Sequence, residues 1–115
     1  MNYPRYEIFP DSRGEYRFHL VSSNYQIILT SEGYTTKQSC HVGIASCQRN
    51  SPYDSHYDRL MSSNSKYYFN LKAENGQVIG TSQMYESSTG REVGISAVKK
   101  DGPTQTIVDK TVVTA

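Results

Sequence analysis

The side chains that could do chemistry in this sequence are few and widely spaced. His19, His41 and His56 lie far apart, and no CxxC or HxxxH pattern joins them to Cys40 or Cys47. A zinc site wants ligands at short, regular spacings, so no metal is expected. Cys40 and His41 are adjacent but would project about 100° apart on a helix, which does not make a nucleophile and base pair. Gly14, Gly33 and Gly43 are too scattered for a phosphate loop or a dinucleotide fingerprint. The paired hydroxyls Thr30-Ser31 and Thr81-Ser82 remain, but they read as the hinge where a strand turns into a helix. Catalysis and cofactors are therefore not expected.

A binding face is the better candidate. From Glu15 to Val21 the chain alternates, with Tyr16, Phe18 and Leu20 on one side and Arg17 and His19 on the other. Tyr67, Phe69 and Leu71 repeat the first side, and Tyr68, Asn70 and Lys72 the second. The Tyr/Phe/Leu side is assigned to the core. That leaves Arg17, His19, Tyr68, Asn70 and Lys72, with Tyr6, Tyr57 and Arg59 alongside, on an open sheet face. Aromatics interleaved with cations can stack bases and meet phosphates, as in single-strand nucleic-acid binders. Tyrosine also simply suits a half-exposed strand, where its ring covers the sheet and its hydroxyl meets water. A formal net charge of +1 favours the second reading and, with it, a protein partner over a nucleic acid. A second charged surface is formed by Arg49, Lys99 and Lys100, cations that complement helix C-terminal dipoles.

The elements that must carry these residues are written twice. Shifted by 51 positions, residues 6–52 align with residues 57–103 without a gap, and fifteen of the forty-seven pairs are identical. Ordinary usage would give about three. The echo is plainest in QIILTSEGY (Gln26 to Tyr34) and QVIGTSQMY (Gln77 to Tyr85). Two copies are too few for a solenoid, and either alone is marginal as a fold. A closed pseudo-dimer in a single domain follows, with repeat one at 5–54, repeat two at 55–110 and a flexible tail at 111–115.

Each copy reads as three strands and a helix. Thr35 or Thr36, and Ser87 or Ser88, are the expected N-caps of helices running to about Gln48 and Lys99. Gly43 and Gly94 interrupt those helices, which is best explained by close approach to the sheet. Asn75-Gly76 signals a two-residue hairpin turn, whereas Asn24-Tyr25 predicts a different turn in the first copy, because Tyr is costly at positive φ. Tyr53 to Leu60 is expected to run extended from one half to the other, with Thr104 to Asp109 returning. Cys47 aligns with Val98 and should be buried; Cys40 aligns with Arg91 and should be more exposed, the one place where thiol chemistry is conceivable. No apolar run approaches a membrane span and MNYPRYEIF lacks signal-peptide character, so the expected address is the cytoplasm.

The segments YEIFPDSRGEYRFHL, QIILTSEGY, VGI, KYYFNLKAENGQVIGTSQMYES and REVGISAVKKDGP resemble the DUF1508 family, also called UPF0339 or the YegP-like proteins. The resemblance covers about residues 5 to 110. It implies an α+β fold: two tandem β3-α-β repeats forming one antiparallel sheet, with swapped C-terminal strands and helices packed on one face. It carries no assigned reaction and no catalytic residues. The expectation is a monomeric, non-catalytic binding or protein-interaction module, with single-stranded nucleic-acid binding as the alternative.

Overall fold

The computed structural model describes residues 2–112. Strands β1 (Arg5–Pro10), β2 (Tyr16–Val21) and β3 (Ile27–Ser31) lead into helix α1 (Lys37–Asn50); β4 (Tyr57–Met61), β5 (Tyr67–Lys72) and β6 (Val78–Thr81) lead into α2 (Ser88–Asp101), and β7 (Ile107–Asp109) follows. All seven strands share one sheet in the order β4-β5-β6-β3-β2-β1-β7. The repeats meet at β3 and β6, where Thr30 pairs with its own counterpart Thr81. A pseudo-twofold axis therefore passes between these strands.

Both helices lie on one face. Phe18, Leu20, Phe69 and Leu71 are fully buried there beneath Ile44, Cys47, Ile95 and Val98. Each large side chain of this set contributes about 1.5–3 kcal/mol by leaving water. Thr36 and Ser87 cap the helices by accepting from the N–H of Ser39 and Gly90. The helices run unbroken through Gly43 and Gly94, and glycine is needed at both because a Cβ there would lie 2.3 and 2.2 Å from the hydroxyls of Tyr34 and Tyr85. The glycines admit the tyrosine rings, and the backbones of Tyr34 and Tyr85 hold the hinge after the third strand by bridging to those of Tyr16 and Tyr67.

On the helix side, two matched positions cannot both carry a side chain, and the sequence breaks its symmetry at them. A Cβ on Gly80 would meet Leu29 at 2.9 Å, and one on Gly102 would meet Ser51 Oγ at 2.2 Å. Gly80 is the partner of Leu29, and Gly102 of Ser51, so at both places one repeat supplies the side chain and the other the space. The halves are also tied crosswise. Tyr6 Oη donates to Gly102 O at 2.7 Å, and Tyr57 Oη to Ser51 O at 2.6 Å. The first strand of each repeat thus holds the helix end of the other.

Three local expectations are corrected. Both second hairpins use the same three-residue loop, with Tyr25 N–H donating to Ser22 O and Gly76 N–H to Ala73 O. Tyr25 adopts φ 69 where Gly76 has φ 86, so neither is a two-residue turn, and tyrosine bears the left-handed conformation because the loop geometry demands it. The run from Tyr53 is broken by a 3-10 turn at Asp54–His56 before β4 begins. The return strand β7 does reach the first half, but it lies parallel to β1, with Tyr6 opposite Ile107. The sheet is antiparallel everywhere else. Of the expected tail, Thr111 is tied to Asp109 by two hydrogen bonds, and residues 113–115 lie outside the described part.

Candidate functional site

Strand register lays a single row of side chains across the face opposite the helices. Asp58 pairs with Asn70, Asn70 with Thr81, Thr81 with Thr30, Thr30 with His19, His19 with Glu7, and Glu7 with Val108. Cross-strand partners point to the same side of a sheet, so the row reads acid, amide, hydroxyl, hydroxyl, imidazole, acid. Thr81 Oγ1 donates to Asn70 Oδ1 at 2.8 Å, and Thr30 Oγ1 lies 3.5 Å from His19 Nδ1. Of the row, His19 and Asn70 are legible from alternation. Glu7, Asp58, Thr30 and Thr81 are not, although an acid at both matched positions and a threonine at both were the available signals.

The charges flanking this row are matched locally. Arg17 bonds Asp11 at 3.1 Å, Lys72 bonds Asp58 at 2.9 Å, and Glu7 receives both Arg5 at 2.8 Å and Lys110 at 3.3 Å. Desolvation alone would push the Glu7 carboxyl up, but the bonds from Arg5 and Lys110 hold it below the usual range. Asp11 is likewise held low, against desolvation, by Arg17 and by the N–H groups of Glu15 and Arg13. His19 stacks on Phe9 with ring centroids 4.1 Å apart. Burial depresses its pKa, so the imidazole is neutral at pH 7, with nearby Glu7 opposing the shift only in part.

Of the predicted face, Arg17, His19, Tyr68, Asn70 and Lys72 fall together as expected. Tyr6, Tyr57 and Arg59 do not: Tyr6 is fully buried against Phe18. Tyr57 is 6 % exposed and its ring packs toward Phe69 on the helix side, because β4 puts its first residue in register with core Leu71. Arg59, two residues on, shares that side and is held by Asp54 and by Glu92 of α2. Asp54, bonded by Arg59 and Lys99, drops to about 2.

Cys40 is also corrected: it is fully buried. The Lys37–Asp109 ion pair brings β7 beside this end of α1, and burial with the nearby Asp109 charge pushes the Cys40 thiol up to about 11. On the other half no described strand covers β4, and Arg91, at the matching place, instead donates to Leu60 O on that edge at 3.0 Å. Cys47 is buried as expected, its thiol raised by desolvation to about 12. A thiolate is the reactive form, so neither cysteine is poised for chemistry near neutral pH. No cluster of three or more metal-ligating side chains occurs among the described residues, and no described helix is long and apolar enough to cross a membrane.

On the helix side, each helix and the second hairpin of the opposite repeat enclose a groove, and the two grooves are related by the pseudo-axis. One, about 330 Å³, lies between the end of α2 and the Ser22–Gln26 loop. It is latched, since Asp101 accepts from Ser23 N–H and from Ser23 Oγ, each at 3.1 Å. Its counterpart between α1 and the Ala73–Gln77 loop is about 690 Å³. There Asn50 replaces Asp101 and Glu74 replaces Ser23, and no such latch forms. Asn50 turns its Nδ2 back onto Ser46 O at 2.8 Å instead. Arg49 was legible as a helix-end cation; Glu74 and Asn50 were not, because the loop and the helix end come from different repeats.

The chain matches a family model described as "Domain of unknown function (DUF1508)" at residues 11–58 and again at 62–109. It is 54 % identical over 106 residues to a UPF0339 protein of Acinetobacter baylyi, and 48 % identical over 106 residues to the UPF0339 protein YegP of Escherichia coli K12; each alignment spans 92 % of this chain and 96 % of the relative. The solution NMR structure of yegP from E. coli, a protein of unknown function, superposes with a TM-score of 0.87 at 48 % identity, covering 91 % of this chain and 90 % of that one. A UPF0339 protein of Shewanella oneidensis, also solved by NMR, gives 0.85 at 47 % identity, with 90 % and 88 % covered.

Proposed function

The chain belongs to the DUF1508 family, and we propose that it acts within it as a non-catalytic, cytoplasmic, monomeric module that docks a protein partner on the open sheet face. The observation that carries this reading is that the cations of that face are already bonded to carboxylates. Arg17, Lys72, Arg5 and Lys110 each have a carboxylate partner on the sheet or its adjoining turn. Binding to a polyanion draws on cations free to displace counterions from phosphates, and here the cations are already committed. A surface of hydroxyls, amides and half-buried aromatics with matched charges suits a protein interface, where polar groups give register and rings such as Tyr68 give area.

The test is a paired capture experiment. The wild-type chain recovers a partner that the Tyr68→Ala, Asn70→Ala double variant loses, and a labelled single-stranded oligonucleotide is not retarded even at low salt. Salt-dependent oligonucleotide binding that Arg17→Ala weakens would contradict the reading and install nucleic acid as the ligand.

A further inference from the structure

We propose that the open groove between α1 and the Ala73–Gln77 loop is a binding site for a small zwitterion, a dipeptide-sized molecule carrying an ammonium, a carboxylate and apolar side chains. This site is on the opposite side of the sheet from the face discussed above and stands independently of it. At about 690 Å³ the groove lies within the range of small-molecule sites.

Its charges have the arrangement that a zwitterion needs. Arg49 lines the groove from the last turn of α1 and Glu74 from the facing loop. Neither forms an ion pair with another described residue. A ligand carboxylate meets the Arg49 guanidinium, and a ligand ammonium meets Glu74. Between them sits Asn50, only 2 % exposed. Its Nδ2 is spent on Ser46 O and Oγ, and no described donor reaches its Oδ1. An N–H of the ligand donates to this Oδ1. The floor of the groove, with Tyr34, Val78 and Ile79, and the exposed Val42 on its rim take the apolar side chains.

The second groove serves as an internal control. Lys100 retains the cation, but the anion is gone with Ser23 in place of Glu74, and Asp101 spends its carboxylate on the loop. The zwitterion-matching pair thus exists on one side of the axis alone.

The experiment is a titration of the full ¹⁵N-labelled chain with the dipeptide leucyl-leucine, followed by amide chemical shifts. The expected result is saturable shifts in the second half of α1 and in residues 73–79, with the Ser22–Gln26 loop and the end of α2 unmoved. Arg49→Gln and Glu74→Gln, both surface changes whose folding the same spectra verify, each weaken binding about tenfold, the loss of one charge-assisted contact. The same peptide acetylated at its N-terminus and amidated at its C-terminus binds at least about tenfold more weakly. Absence of saturable shifts, equal shifts in both grooves, or undiminished binding of the blocked peptide would each overturn the proposal.

Discussion

The two grooves differ in one pair of residues more than in anything else. Where α2 ends, Asp101 reaches across to Ser23 and fastens helix to loop; where α1 ends, Asn50 folds back on Ser46 and leaves Glu74 facing Arg49 across open space. A duplicated chain begins with two equal sites. Here one has become a structural tie and the other has kept its volume. The same division of labour recurs at the axis, where Leu29 and Ser51 in repeat one fill what Gly80 and Gly102 leave vacant in repeat two. Symmetry is given up at the two contacts where matched side chains would collide, and kept at the Thr30–Thr81 pair, where they do not.

The strongest way to break this comparison is to restore symmetry at the axis. Gly80→Leu sets two leucines against each other and lowers stability by about 2–3 kcal/mol in urea unfolding. Adding Leu29→Gly to that variant returns most of the loss, because the side chain has only changed sides; two additive losses would contradict this account. Next in size, Asp101→Ala removes the latch, costs about 1–2 kcal/mol, and raises hydrogen exchange at the Ser23 amide about tenfold toward that of Glu74, whose amide has no partner among the described residues.

A smaller effect separates the turns. Ser65, at φ 64, and Tyr25 stand where Gly14 and Gly76 stand in the other copy. Ser65→Gly raises the thermal midpoint, by about 0.5–1 kcal/mol of stability. Tyr25→Gly gains less, since it also removes the edge-to-face contact with Tyr3 at 4.7 Å.

The smallest effect is in pH dependence. Burial holds folded His19 below its ordinary value of 6.5, so as pH falls the unfolded chain takes up the proton first. Stability from a neutral His19 is whole above that value and declines as pH drops through it toward the lower folded value. His19→Asn, the residue found at the matching Asn70, flattens the stability profile between about pH 7 and pH 5, as read by urea titration.

The order of strands and helices, the caps to within one residue at Thr36 and Ser87, and a close approach at Gly43 and Gly94 were legible, because each rests on local pattern or on the repeat itself; that tyrosine rings make the approach was not. What the repeat concealed was the difference between copies. Alignment suggested an exposed Cys40 because Arg91 matches it, yet β7 covers only the first copy's edge and buries the thiol. Tyr25 argued for a different turn, yet it takes the same loop shape, with positive φ at the same place, as Gly14, Ser65 and Gly76. Tyr57 and Arg59 looked like face residues until register placed them over the helices. The latch between Ser23 and Asp101 joins residues 78 apart, and no periodicity reports such a contact. Sequence repetition thus disclosed the architecture, and only contacts between copies disclosed the site.

The unequal grooves are tested most directly by transplanting the latch. A chain carrying Asn50→Asp and Glu74→Ser acquires at α1 the pair that fastens α2. In the leucyl-leucine titration this variant is predicted to lose the amide response of the second half of α1 and of residues 73–79, while remaining folded and melting no lower than the parent. An undiminished response in that groove would contradict the account.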